Sequence, residues 1–398
     1  MNRKLQGYDN NTISKQRESG IELLKVLAIF LIVISHVCMA IGYEPTKLAG
    51  EFVPPINLKM STRDVSNFIL GIMRHFGALG NNIFFICSFW FLCDRSKITL
   101  KRVLVILLDI WVISMLFLCG YLFSGEHLSI SLVITSLFPT TSGWYWFTTC
   151  YLLMYLLHPL LNLVMANISQ KTHLLACLVS VVLYCGIAFA DTTLLFNSYL
   201  VHAIILYFIV GYMKRYLSVY NSGLKGNFIL LLCGFIGLLL LLLATNEIGL
   251  HISPLSAEMH RWSVNNNPFL MMIALSSFNL FRQIHITNKV INYFSSLTLF
   301  IYVIHGNVLF RSFTELRIWN LVFEKFGYDH LILKVLIYAT VLFIATCVLS
   351  VIYKTTLHKG IDWICGRLSP KISSLLDRIT DKFLKKQPPA KPERKTKL

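Results

Sequence analysis

The sequence predicts an all-α, polytopic integral membrane protein of about ten transmembrane helices, with both termini cytoplasmic. Three observations carry that expectation. Apolar residues make up 56% of the 398 and charged residues only 14%, against roughly 25% charged in a soluble domain. Apolar runs of about 20 residues, long enough to cross a bilayer core, recur along the whole chain. Lys and Arg are divided unevenly between alternate loops.

The first run, IELLKVLAIFLIVISHVCMAIGY, covers residues 21–43. Basic residues precede it, as they do in a signal peptide. It is longer than an ordinary h-region, contains Glu22, Lys25 and His36, and lacks a small-residue cleavage site, so it reads as retained. Further spans are expected at 67–93, 103–124, 147–166, 174–190, 199–217, 227–248, 267–282, 293–313 and 331–356. Residues 131–138 are apolar but too short to cross, and read as an interfacial segment before Trp144. With both termini inside, the cytoplasmic segments collect Arg17, Arg95, Lys97, Lys101, Arg102, Lys171, Lys214, Arg215, Lys225, Arg282 and Lys289. The net charge of +17 is then a topology signal, not a sign of nucleic-acid binding.

This organisation divides the chain into an N-terminal cytoplasmic tail over 1–20, a membrane domain over 21–358 and a basic cytoplasmic tail over 359–398. In the tail, Ile372, Leu375, Leu376, Ile379 and Phe383 recur at helical spacing, as in a helix lying on a membrane surface. The closing QPPAKPERKTKL reads as disordered. The ten cysteines form no C-x-x-C pair and read as small apolar fillers. No metal-binding pattern, phosphate loop or nucleophile elbow is present, so neither a metal nor a permanently bound cofactor is expected.

Chemistry is concentrated in polar residues inside apolar spans. At about 100° per residue, Glu22, Lys25 and His36 share one face of the first helix. A central ionisable group costs roughly 2.5–3.5 kcal/mol on insertion scales, so His36 needs a protein or water partner. In the second span Asn67, Arg74, Asn81 and Ser88 recur every seven residues, and His75 follows Arg74. Antiparallel spans bring Arg74 and His75 to the depth of His36. Structural alternatives stand beside these readings. Arg74 can neutralise a buried acid or snorkel outward. Trp144 and Trp146 fit an interfacial belt. His158 precedes Pro159 and can take the carbonyl that the proline frees. His305, on one face with Ser295, Thr298 and Tyr302, can equally be a packing histidine.

Five segments taken in order resemble one family. RESGIELLKVLAIFLIVISHV, GNNIFFICSFWFLCDR, SGWYWFTTCYLLMYLLHPLLN, FIVGYMKRY and SSLTLFIYVIHGN are similar to successive elements of the acyltransferase family 3 membrane proteins. The likeness runs over roughly 17–357. Two departures stand out. Lys25 occupies the position of the family's usual Arg in its Arg-x10-His element, and Phe89 follows Ser88 where glycine is usual. Lysine keeps the charge but not the forked donors. Some members append an extracytoplasmic esterase-like domain; here a short basic tail is expected instead.

The resemblance implies an O-acyltransferase that moves an acyl group, by default acetyl, from cytosolic acyl-CoA to a hydroxyl of a surface polysaccharide or lipid-linked saccharide, in a bacterial plasma membrane. On that reading His36 is the general base, or forms an acyl-histidine; both chemistries fit. Arg74, His75 and His305 are the other catalytic candidates. Lys25, Glu22, Arg95, Lys101 and Arg102 would receive the polyanionic donor, although the last three also satisfy the positive-inside rule without a ligand. Eleven helical residues separate Lys25 from His36 by about 16 Å, comparable to an extended pantetheine arm. Asn81, Trp144, Tyr151 and Tyr302 are candidates for substrate contact. A saccharide transporter fits the polar stripes as well, but no repeat relates the two halves of the chain. A scaffold would leave His36, Arg74 and His305 without purpose.

Overall fold

The computed structural model describes residues 19–40, 65–125, 129–141, 143–187, 198–217, 223–251, 264–327 and 329–384. The N-terminal tail before 19, the disordered reading of 387–398 and most of the expected 249–266 outer loop lie outside these residues. Among the described residues there are helices and no strands.

Helix α1 is Ser19–Met39, and α2 (Val65–Arg74) and α3 (Phe76–Leu92) together form the second span. Then come α4 (Leu100–Phe123), the short α5 (Ile130–Leu137), α6 (Trp146–Asn167) and α7 (Gln170–Ser180), which runs on as a wider π turn over Val181–Ile187. Next are α8 (Tyr199–Tyr212), α9 (Leu224–His251) and α10 (Pro268–Phe281). The last group is α11 (Lys289–Ser295), α12 (Thr298–His305), α13 (Val308–Arg311), α14 (Trp319–Phe326), α15 (Leu331–Thr355) and α16 (Leu357–Leu384).

Among the described residues eight helices are long and apolar enough to cross a membrane, or nine when the bent pair around Gly306 is taken as one span. The segment expected as the eighth span, 267–282, holds only the 14 residues of α10. At 1.5 Å per residue that is about 21 Å, short of the roughly 30 Å hydrocarbon core. The ninth expected span is likewise not one straight rod. Lys289–His305 and Val308–Phe326 meet at 72°.

The break follows from local sequence. Asn307 caps the new helix, its Oδ1 accepting from the Leu309 and Phe310 amides at 3.0 and 3.3 Å. Its Nδ2 donates to the Tyr145 hydroxyl at 2.9 Å, and that hydroxyl donates to the Val303 carbonyl at 3.1 Å. A polar clamp from Tyr145, just before α6, therefore satisfies backbone that a broken helix would leave bare inside the bilayer.

Packing sorts the apolar residues. On α15, Leu333, Ile337, Val341, Ile344, Val348 and Ile352 are exposed at intervals of three and four, a lipid-facing stripe. Its opposite face buries Val335, Ala339, Thr346 and Ser350. Between α1 and α3 the backbones approach closely. A Cβ added at Gly80 would lie 2.6 Å from both the Ala28 carbonyl and Ile32, and one at Gly77 would lie 2.7 Å from Ser35 Oγ. Glycine there lets the two helices that carry most of the polar stripe pack face to face.

At the other end of the chain, α16 docks on α4. The His358 ring bonds the buried Asp109 carboxylate at 3.0 Å, the Tyr353 hydroxyl donates to it at 2.8 Å, and Lys101 pairs with Asp362 at 2.8 Å. The described part of the amphipathic tail segment, 371–384, is thus the end of a longer helix whose first turns are fastened to the bundle.

Candidate active site

The polar face of α1 forms the spine of the site. Near its N-terminus Lys25 Nζ lies 2.6 Å from Glu22 Oε2. The Ser295 hydroxyl donates to the same carboxylate. Glu22 is buried, whereas Lys25 stays partly open and lines a cavity of about 170 Å³. Ser88, Arg102, Thr148, Tyr151, Thr298 and Tyr302 supply its other polar walls, and Phe84, Ile106, Phe147 and Leu299 the apolar ones. Four helices, α1, α3, α4 and α6, meet α12 around this space. Arg102 donates to the Tyr151 hydroxyl at 2.7 Å, which fixes both side chains at its rim.

Tyr302 stands three residues before His305, about 4.5 Å along the helix axis. The cavity therefore reaches to within one turn of the second feature. His36 Nδ1 and His305 Nε2 are 2.8 Å apart, with the rings stacked at 18°. His305 is fully buried, while His36 is half-buried. Beyond His305, Glu315 Oε1 lies 3.6 Å from the same Nε2. Arg311 closes the chain, with Nε and one terminal nitrogen each 2.8 Å from Glu315 Oε2. Glu315 is 1% exposed. It reaches inward from a π turn over Ser312–Ile318, in which the Trp319 amide bonds the carbonyl five residues back, at Thr314. Such widened turns are frequent at functional sites.

His36, His305 and Glu315 offer three possible metal ligands within 4.8 Å of one another. Two nitrogens on one tetrahedral zinc, each about 2.0–2.1 Å from it, stand roughly 3.3 Å apart. The observed 2.8 Å is a hydrogen bond. Glu315 is in addition engaged by Arg311, a poor neighbour for a cation. The arrangement fits a proton-handling relay better than a metal centre.

The family model described as an acyltransferase domain matches residues 18–355. The chain belongs to the acyltransferase family 3. No curated protein and no solved structure matches it. The matched stretch takes in Lys25, His36, His305 and Glu315, and leaves α16 outside.

Other residues singled out in this acyltransferase are distributed more widely. Arg74 lies within electrostatic reach of Cys38, and its carbonyl accepts from Ser35 at 2.7 Å. His75 does not join His36. It sits where α2 gives way to α3, and its Nδ1 bonds the Gly71 carbonyl of α2 at 2.8 Å. Equal depth brought it level, but helix rotation turned it away. Asn81 keeps its Oδ1 buried and without a partner among the described residues. Trp144 is exposed, as an interfacial belt requires, whereas Tyr151 and Tyr302 line the cavity. Arg95 is exposed and outside the cavity lining, and Lys101 is turned to Asp362, so of the basic cluster only Arg102 reaches the cavity. His158 Nδ1 donates to Tyr155 O, the carbonyl that Pro159 cannot bond.

Neither Glu315 nor Arg311 is among the expected site residues; the ninth span is expected to end at 313, and Arg311 counts there only as an outer-loop cation. Their i,i+4 spacing beyond a Gly–Asn break was the available signal: an acid in an apolar stretch with its cation one turn away.

Proposed function

We propose that this membrane acyltransferase is an O-acyltransferase that transfers acetyl from cytosolic acetyl-CoA to a hydroxyl of a surface polysaccharide or lipid-linked saccharide. The observation that carries the reading is the polar route along α1, from Lys25 at the cavity to the half-buried His36 backed by His305 and Glu315. Lys25 and Arg102 neutralise donor charge at the inner end. The pantetheine arm follows the α1 face outward and presents its thioester near His36.

For His36 to act as a base, the ring nitrogen not bonded to His305 must carry the lone pair. Nδ1–H then donates to His305 Nε2, and Nε2 faces the acceptor. The acceptor oxygen forms a bond to the acyl carbon as its proton passes to His36 Nε2. The carbon–sulfur bond breaks, and the proton leaves on the CoA thiol. Positive charge built on His36 is shared with His305 and balanced by Glu315, as the third member of a catalytic triad balances its imidazolium. This reading keeps the general base as the role of His36 and replaces His75 with Glu315 in the supporting set.

Sealed vesicles given acyl-labelled acetyl-CoA on the cytoplasmic side test the activity. Label should enter membrane-associated glycan in an alkali-labile form, as an ester. Absence of label in glycan, with CoA binding intact, would point to another acceptor.

Two further outcomes are expected. Lys25→Ala should raise the donor KM at least tenfold with a smaller change in kcat, and Lys25→Arg should restore most of it. An unchanged donor KM would leave Lys25 a structural partner of Glu22. On a cysteine-free background, a cysteine at position 258 should label from outside and one at 225 should not; the reverse pattern overturns the orientation.

A further inference from the structure

A second polar cluster, separate from the histidine relay, lies where α3, α8 and the start of α10 meet. Asn265, Asn266 and Asn267 are all buried in the turn that precedes α10. This turn is deep. The far end of α10 abuts the first turn of α1, since a Cβ on Gly20 would strike the Phe281 carbonyl. Gly80, two residues before the Asn82 that bonds Asn265, packs on Ala28 and Ile32, so the start of α10 lies level with the middle of α1. Irregular backbone at membrane depth is tolerated where protein buries it or where it lines a polar cavity.

The hydrogen bonds of the cluster fix its polarity. Asn82 Nδ2 donates to the Asn265 carbonyl at 2.9 Å, so Asn82 Oδ1 is an acceptor. His202 Nε2, 2.7 Å from that oxygen, must be the donor. Neutral His202 therefore has a bare acceptor at Nδ1. Asn266 Nδ2 donates to the Tyr184 carbonyl at 3.0 Å, which leaves its Oδ1 as an acceptor as well. His202 and Asn266 are each only 1% exposed, and neither His202 Nδ1 nor Asn266 Oδ1 has a partner among the described residues. Tyr184 joins them, its ring stacked on His202 at 5.9 Å. Asn81 Oδ1, next along α3, is a third unmatched acceptor. An unmatched buried acceptor is costly, so each needs a donor from water or ligand.

One turn before His202, Tyr199 stacks on Trp146 with ring centroids 3.9 Å apart, and Tyr199 is 48% exposed. An exposed aromatic face one helical turn from buried acceptors suits a molecule with both C–H faces and O–H donors. It does not suit an anion, which brings acceptors only.

We propose that His202, Asn82 and Asn266, with the Trp146–Tyr199 stack at their mouth, form a subsite for a neutral saccharide whose hydroxyls donate to His202 Nδ1 and Asn266 Oδ1. This rests on the acyltransfer reading and names where the acceptor sugar is held. Asn82 orients His202, and Asn266 orients the sugar; neither takes part in bond making.

The test uses the full chain in nanodiscs prepared without glycoside detergent, followed by thermal unfolding. Methyl glycosides of glucose, galactose, rhamnose and N-acetylglucosamine are titrated in one arm and CoA in another. At least one glycoside should raise the unfolding midpoint saturably. His202→Phe and Tyr199→Ala should each weaken that response about tenfold or more, as loss of a ligand contact does. The CoA response should persist in both variants, which shows that they fold, and should be lost in Lys25→Ala. Glycosides that leave the wild-type midpoint unmoved would overturn the subsite and leave the acceptors to buried water. So would wild-type glycoside affinity in both His202→Phe and Tyr199→Ala. A glycoside response without a CoA response would keep the subsite and remove the donor reading. The same sugar presented as a dodecyl glycoside in the nanodisc distinguishes the source: a tighter response than the methyl glycoside marks a lipid-linked saccharide.

Discussion

His36→Ala should lower acyl transfer by 10²–10⁴-fold, the usual contribution of a positioned acid–base group, while the protein reaches the membrane at near wild-type level. His36 is the half-buried member of a hydrogen-bonded histidine pair and the one member of the relay on α1, eleven residues after Lys25. Its removal deletes one neutral hydrogen bond, worth about 0.5–1.5 kcal/mol, so the fold should tolerate the change. His305 is left with a vacant site at Nε2, which water from the open side can fill. The measurement is acyl transfer in vesicles at matched protein level, with CoA binding as a control for folding. Activity within a few-fold of wild type would show that His36 is structural. The relay would then have no role in the chemistry, and another base would have to be sought along the cavity wall.

The sequence carried some of this site well and some not at all, for physical reasons. Apolar length marks a span because the bilayer has a fixed thickness, and α1, α4 and α15 lie close to where those lengths predict. The common face of Lys25 and His36 follows from helix period alone. The pairing of His158 with Tyr155 O follows from Pro159, since a proline always frees the carbonyl four residues back. Rotation about a second helix is different. Arg74 and His75 differ by 100° on α2, and only packing decides which of them faces α1. Breaks inside apolar runs were also hidden. The run through His305 looks continuous because Gly306 and Asn307 are only two residues, yet the bend they allow folds Glu315 back onto His305. Long-range pairs such as Lys101 with Asp362 leave no trace at either position, and they withdrew a residue that the charge pattern had assigned to the donor.

Glu315→Gln should reduce kcat about 10²-fold and leave the KM for acyl-CoA nearly unchanged. The amide fills the same volume, and its oxygen can still accept from Arg311, so the two 2.8 Å contacts at Oε2 survive in altered form. What disappears is the negative charge 3.6 Å from His305 Nε2. That charge matters little while both histidines are neutral and most when the pair has accepted the acceptor's proton, so its loss falls on the transition state and not on binding. The low dielectric around a residue that is 1% exposed leaves little water to replace it. Glu315→Ala is a poorer probe, because removing one partner of a buried ion pair costs about 3–5 kcal/mol and leaves Arg311 uncompensated. Glu315→Asp retains the charge at a longer reach and should recover part of kcat. A purely structural Glu315 would behave otherwise: Glu315→Gln would lower the amount of folded protein while the surviving molecules turned over at the wild-type rate. Single-turnover transfer, normalised to CoA-binding sites, separates the two. A normalised rate equal to wild type would take Glu315 out of the relay and leave His36 and His305 to share the proton alone.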